Sequence, residues 1–236
     1  MSNTYKIWAV IPAAGVGKRM QSAVPKQYLS INDKTILEHT IACFSTRTDI
    51  SGIMIALSSE DEYFDNALLS KERGIYRTIG GNERSDSVLN ALIALDELDV
   101  GDEDWVLVHD AARPCVEQVD INLLIQQCVK HKKGGILAMP VRDTMKRQSA
   151  DTKTILHTES RDGLWHALTP QMFRLGELRE ALEQSVKDGF AVTDEASAME
   201  HCGIHPLLIE SSSSNIKVTR PTDLKLATFF LNEAGV

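Results

Sequence analysis

The sequence predicts a doubly wound α/β fold on a mostly parallel sheet, Rossmann-like, with a protruding β-arm. Three observations predict it. Short apolar runs recur along the chain and end in glycines, small residues or an acid, as buried parallel strands do. Segments with helical apolar spacing separate those runs, and this alternation builds parallel sheets. The rhythm breaks once, in a polar stretch over residues 141–163. With 236 residues and 43% hydrophobic side chains, the chain can fill one large core. It reads as one domain over 1–236, with 141–163 inserted as the arm.

The elements follow in order. Ile7-Trp8-Ala9-Val10-Ile11 is the first buried strand. Thr35-Ile36-Leu37-Glu38 has the form of a capping box, and Ile36, Leu37, Ile41 and Phe44 give its helix an apolar face. Gly52 to Leu57 is a strand, and Ser59 to Glu62 reads as a second capping-box start, leading a polar helix. Ile75 to Ile79 is a short strand ending in Gly80-Gly81, before a helix carrying Val88, Leu89, Leu92, Ile93 and Leu95. Trp105-Val106-Leu107-Val108-His109 is another strand; Ile121, Leu124, Ile125, Cys128 and Val129 mark the next helix; Gly135 to Val141 is a strand again.

In the polar stretch, Thr144 to Arg147 and Thr154 to Thr158 can pair around Gln148 to Lys153. An isolated hairpin is marginal in water. Met145, Ile155 and Leu156 would be poorly covered on it, so it reads as a dimerisation arm. Core sequence is expected to resume at Leu164-Trp165-His166-Ala167-Leu168. Asn215-Ile216-Lys217-Val218-Thr219 reads as a last strand, and Pro221 opens the last helix.

Composition excludes several classes. The net charge of −8 argues against a general nucleic-acid binder. An anionic ligand must then be held by locally clustered cations against the overall field. Cys43, Cys115, Cys128 and Cys202 form no C-x-x-C pair and read as small buried residues in a reducing compartment. The apolar start is too short for a signal peptide, and no run approaches membrane-spanning length. A soluble, cytoplasmic protein is expected.

In open α/β sheets, ligands sit at the carboxyl ends of the strands. The first strand ends in Pro12-Ala13-Ala14-Gly15-Val16-Gly17-Lys18-Arg19-Met20, with Pro25-Lys26-Gln27-Tyr28 close behind. A bare backbone followed by Lys18, Arg19 and Lys26 suits a polyphosphate. It is not a P-loop: Arg19 follows Gly17-Lys18, and Pro12 stands where the first glycine belongs. It is not a dinucleotide fingerprint either. Met20 replaces the third glycine, and the second strand ends in Ser58-Ser59 rather than an acid.

Gly80-Gly81-Asn82-Glu83-Arg84-Ser85-Asp86-Ser87 again permits close backbone approach, here to a base that Ser87 could bond; a plain helix start reads equally well. Asp110, directly after a strand, is placed to meet a divalent metal or ribose hydroxyls, and Arg113 offers a fork for a phosphate. His109 reads as packed within its strand rather than as a base. Thr169-Pro170-Gln171 and Thr193-Asp194-Glu195 bring hydroxyls and a helix start that suit a phosphate monoester, although Thr193 could merely cap its helix. Lys217 lies in an apolar β segment, where a lysine faces solvent unless a ligand needs it. No Ser-His-Asp or Cys-His set stands out. Phosphoryl-type transfer does not need one, because positioning and charge neutralisation carry it.

Together these segments, with Asp143-Thr144-Met145-Lys146, resemble the 2-C-methyl-D-erythritol 4-phosphate cytidylyltransferase family of the non-mevalonate isoprenoid pathway. The match runs in order over nearly the whole chain, and its first motif alone would indicate only nucleotidyltransferases in general. The resemblance implies that CTP and methylerythritol 4-phosphate give the CDP-alcohol and pyrophosphate, with Mg²⁺ or another divalent cation such as Mn²⁺. It implies Arg19, Lys26, Asp110 and Lys217 as catalytic, with Asp110 on ribose and on the metal bound with the CTP phosphates. It implies Pro12, Ala13, Ala14, Gly15, Gly17, Gly81, Asn82, Ser87 and Asp110 around CTP, with the backbone at Ala13 and Ala14, Gly81 and Ser87 reading cytosine. It places Arg113, Thr169, Thr193 and Lys217 on the polyol phosphate, and Thr144 and Arg161 there from the partner's arm in a homodimer. Asn82 replaces an acid seen in some relatives, and Leu168 stands where others have glutamine. The chain ends soon after the last motif, so no fused downstream synthase is expected. The alternatives are a cytidylyltransferase for another polyol phosphate, such as ribitol 5-phosphate, and a silent nucleotide-binding module.

Overall fold

Alternation of apolar side chains decides the architecture. Strand β1, Ile7–Pro12, sends Ile7, Ala9 and Ile11 into one core and Trp8 and Val10 into another. A strand buried on both faces needs helices on both. The computed structural model describes residues 5–15, 24–64 and 74–235. On one face, α1 (Ile36–Ser45) packs Leu37, Ile41 and Phe44, and α3 (Gln118–His131) packs Ile121, Leu124 and Cys128. On the other, α2 (Arg84–Asp96) contributes Val88, Ala91, Leu92 and Leu95, beside α4 (Leu175–Lys187) and α5 (Glu195–His201).

Among the described residues the central sheet has seven strands. β1 lies between β4 (Gly52–Leu57) and β6 (Trp105–Val108), parallel to both, and β5 (Ile75–Ile79) extends the β4 side. Beyond β6 come β10 (Trp165–Arg174), β7 (Gly135–Pro140) and β11 (Leu207–Glu210). β10 runs antiparallel to both neighbours, and β11 pairs parallel with β7. The chain leaves β1 towards β4 and β5, then returns to place β6 on the other side of β1. Such a reversal opens a crevice at the strand ends. A short pair, β2 (Ser30–Ile31) and β3 (Lys34–Thr35), precedes α1, and Thr35 with Glu38 forms the expected capping box. Helix α6, Pro221–Glu233, has its proline in the first turn, as expected.

Between β7 and β10, β8 (Met145–Gln148) and β9 (Ile155–Glu159) form a separate antiparallel pair. Its side chains are mostly exposed.

Five expectations change. Asn215 to Thr219 is not a strand. Its Val218 N–H bonds Ala112 O, but the Thr219 N–H goes to Asp223 and the Asn215 carbonyl to Arg113, so no ladder forms. The core resumes at Leu168 rather than Leu164. Trp165, His166 and Ala167 pair with the far end of β7 and stay exposed, and the register shifts before Gln171. Asp61, not Ser59, accepts the N–H groups of Tyr63 and Phe64, and the helix expected after them falls on residues 65–73, outside those described. Ile93 faces solvent, because the buried stripe of α2 is only as wide as the sheet it covers. Cys202 is exposed, while Cys43, Cys115 and Cys128 are buried; all four are free.

Candidate active site

Among the described residues, two neighbouring clefts at the carboxyl ends of the strands share one wall. The first is lined by Pro12, Ala13, Ala14 and Gly15 after β1, by Lys26 and Gln27, by Gly81, Asn82 and Ser87 after β5, and by Ala111 after β6. The second is lined by Arg113, Thr169, Gln171, Thr193 and Asp194, with Ala167 and Leu168. Arg84, Asp110 and Lys217 line both and form their common wall.

Asp110 is the centre of that wall. Its carboxylate accepts from Arg84 Nε at 2.8 Å, Lys217 Nζ at 2.8 Å and Arg113 Nε at 3.3 Å. Burial alone would raise its pKa, but Arg84, Lys217 and Arg113 outweigh burial and hold it well below the usual carboxylate range. Arg84 is the first residue of α2 and reaches the other way as well. Its terminal nitrogens donate to Glu195 at 2.6 and 3.1 Å, and Glu195, at the start of α5, is wholly buried. Burial would weaken the charge of Arg84, and the two carboxylates more than restore it. Lys217, whose segment left it facing solvent unless a ligand needs it, points to Asp110 in the cleft wall. Three cations and two carboxylates leave the wall one positive charge in excess, suited to an anionic ligand.

The first cleft differs in detail from its expected form. The Ala13 N–H donates to Ala56 O and its carbonyl accepts from the buried Gln27, so its N–H cannot read a base. The Ser87 hydroxyl accepts from Gly81 N–H at 3.0 Å and donates to Glu83 O at 3.1 Å. It holds the glycine turn at the edge of the cleft that it helps to line. A Cβ on Gly81 would stand 2.2 Å from Asp86 Cβ, so this glycine serves the turn's packing rather than leaving room for a ligand. Lys26 Nζ donates to Val218 O at 3.3 Å, which brings it near Lys217 along the chain. Gly17 and Arg19 lie outside the described residues.

In the second cleft, Arg113 is buried and half engaged by the fold, with one terminal nitrogen on Asn215 O at 2.7 Å. Burial lowers its pKa. The hydroxyl of Thr169 is also engaged: it accepts from Asp110 N–H at 3.1 Å and lies 3.0 Å from His109 Nδ1. His109 is fully buried, and its pKa is pushed down to about 4 by that burial. It packs its ring against Phe44 and is no base, as expected. Thr193 is exposed at the cleft edge, and Asp194, not Thr193, caps α5. Thr144 and Arg161, on the arm, line neither cleft; Arg161 donates to the Arg142 carbonyl.

The sequence reading assigned no role to Arg84, Glu195, Gln27 or Gln171. Gln171 ties β10 to α5, donating to Asp194 at 2.8 Å and accepting from Ala196 N–H at 2.9 Å. Arg84 and Glu195 both lie in the motifs quoted above, but 111 residues separate them, so nothing in the sequence marks them as partners. Among the described residues no three His, Cys, Asp or Glu side chains cluster as a metal site, and no helix is long and apolar enough to cross a membrane.

A sheet that reverses direction at β1, a small-residue loop there, and two clefts sharing a cationic wall define a nucleotidyltransferase. The model of the 2-C-methyl-D-erythritol 4-phosphate cytidylyltransferase family (IspD) matches residues 7–233, and the chain belongs to that family. It is 53% identical over 224 residues to the enzyme so named from Vibrio vulnificus (strain YJ016), covering 95% of this chain and 94% of the relative. To that from Escherichia coli O157:H7 it is 50% identical over 225 residues, covering 95% and 93%. The crystal structure of the Francisella tularensis enzyme superposes with a TM-score of 0.83 at 38% identity, over 96% of this chain and all of that one.

Proposed function

We propose that the chain transfers CMP from CTP to 2-C-methyl-D-erythritol 4-phosphate, releasing pyrophosphate and forming 4-diphosphocytidyl-2-C-methyl-D-erythritol. The observation that carries this reading is the shared wall. CTP occupies the first cleft and the acceptor phosphate the second, so Arg84, Asp110 and Lys217 stand between the two. An oxygen of the acceptor phosphate attacks the α-phosphorus of CTP, the bond to the β-phosphate breaks, and pyrophosphate leaves with its electron pair. A phosphate monoester has a second pKa near 6 and is largely dianionic at neutral pH, so it needs no general base. The reaction then rests on placement and charge. Lys217 and Arg113 bring cations to the acceptor side. Lys26, with Arg19 as the family resemblance implies, supplies them to the triphosphate.

Mg²⁺ is part of this proposal. A carboxylate has about four acceptor sites, and three on Asp110 are taken by Arg84, Arg113 and Lys217. One carboxylate contact remains, which fits an ion held mainly by nucleotide phosphates and water. When bound, it would neutralise phosphate charge. A homodimer clasped through residues 141–163, with Thr144 and Arg161 reaching the partner's second cleft, completes the proposal.

The test is pyrophosphate release from the purified protein. It should require CTP and methylerythritol 4-phosphate together, with ATP and ribitol 5-phosphate poor substitutes. Equal use of ribitol 5-phosphate would move the assignment to another polyol phosphate. No release with any acceptor, despite CTP binding, would make the chain a nucleotide-binding module.

A further inference from the structure

Among the described residues, 212–218 join no sheet, yet three cations of the clefts depend on them. Lys217 belongs to this segment and reaches Asp110 at 2.8 Å; the Asn215 carbonyl accepts from Arg113 at 2.7 Å; the Val218 carbonyl accepts from Lys26 Nζ at 3.3 Å. Without a ladder, such a segment keeps its course only if other partners take its polar groups. Two carboxylates at the start of α3 do so. Asp120, buried in the first turn, accepts the Ser211 hydroxyl and the Ser212 N–H on one oxygen, each at 2.8 Å. Glu117, just before the helix, accepts the hydroxyls of Ser212 at 2.6 Å and Ser214 at 2.8 Å, again on one oxygen. A first-turn aspartate favours its own helix, but here that oxygen is spent on the serine run.

We propose that Asp120 and Glu117 are positioning residues for Lys217: they anchor the serine run, and through it they hold the lysine at the shared wall. The inference rests on the two-substrate reading of the clefts. It goes beyond that reading by placing a determinant of turnover outside both clefts, which neither carboxylate lines. Lys217 sits on a short span pinned at both ends. Ser214 is held by Glu117 on one side, and the Thr219 N–H donates to Asp223 at 2.9 Å on the other. With the serine end released, nothing fixes where along the wall the lysine projects. The carbonyls of Asn215 and Val218 shift with it, so Arg113 and Lys26 feel the same loss.

Hydrogen exchange tests the anchor and kinetics test its use, both on the intact protein. Asp120→Ala removes the shared acceptor and orphans the Ser212 N–H; Asp120→Asn keeps an oxygen that can accept it. In Asp120→Ala the Val218 N–H, bonded to Ala112 O at 2.8 Å, should exchange faster, while the amides of β1 keep their protection. Turnover should fall roughly 10–100-fold, since misplacing a positioned group by about 1 Å can cost that much. Asp120→Asn should recover most of it. In a Lys217→Ala background the Asp120→Ala change should cost far less, because both losses act largely through one lysine. Unchanged exchange at Val218, unchanged turnover, or an equal cost with and without Lys217 would overturn the anchor. If Asp120→Ala does not fold, Glu117→Ala carries the same comparisons, since Glu117 is exposed and its side chain makes no capping bond to α3. Faster exchange in the variant, with no transfer by the wild-type protein, would sink the two-substrate reading and leave the anchor standing.

Discussion

At the scale of single residues, the two glycines of the first cleft do different work. A Cβ on Gly81 would meet Asp86 Cβ at 2.2 Å, whereas one on Gly15 meets no described atom within 4 Å. Gly81→Ala should therefore overpack the start of α2 and cost about 1–3 kcal/mol, seen as a lower Tm. Gly15→Ala should keep the Tm and weaken CTP binding, because Gly15 lines the cleft and the added methyl group would meet no described atom there. A lower Tm for Gly15→Ala with none for Gly81→Ala would reverse these assignments. The sequence makes Gly15 legible as an open loop glycine. It cannot show that Gly81 faces Asp86, because that contact depends on how tightly the helix turns after β5. The same limit hides Arg84 and Glu195: each is an ordinary charged residue near a helix start until β5 and β10 bring the two starts together.

At the scale of elements, period and capping carried most of the reading. Strands β1, β4, β5, β6 and β7 and helices α1, α2 and α3 lie where apolar spacing put them, because burial on one or two faces leaves a direct trace in the sequence. Residues 215–219 show where that inference stops. Alternating apolar residues mark a strand only when their backbone groups are free to pair; here side chains take the Asn215 carbonyl and the Thr219 N–H, and the carbonyls of Ser214 and Ala112 take the N–H groups of Ile216 and Val218. The hairpin β8–β9 was legible as a pair. Its Ile155 and Leu156 remain exposed. If the arm clasps a partner, Lys26 from one chain and Arg161 from the other belong to the same site. Lys26→Ala alone should lower turnover roughly 10²–10³-fold, as loss of one transition-state charge stabiliser does. Co-expressed with Arg161→Ala chains, it should yield heterodimers with one intact site and one doubly damaged site. Activity per heterodimer should recover to about half of wild type by two-fold symmetry. Activity at the mean of the two mutant homodimers, with heterodimers present, would place Arg161 in its own subunit's site or in none.

At the scale of the molecule, the fold brings two clefts to one wall, an arrangement that suits direct transfer between two substrates bound together. A nucleotidyltransferase could instead work in two steps, with a lysine attacking the α-phosphorus first. Lys217 is poorly suited to that, because its Nζ is paired with Asp110 at 2.8 Å and an ammonium has no lone pair to offer. Direct transfer and a cytidylyl-enzyme differ in one observable. Only the latter can exchange pyrophosphate with CTP before any acceptor arrives. The decisive measurement is incorporation of radiolabelled pyrophosphate into CTP by the wild-type protein, with and without the acceptor. The account predicts no label in CTP when the protein has CTP and pyrophosphate alone, and exchange once methylerythritol 4-phosphate is added. Label entering CTP without the acceptor would contradict direct transfer across the shared wall.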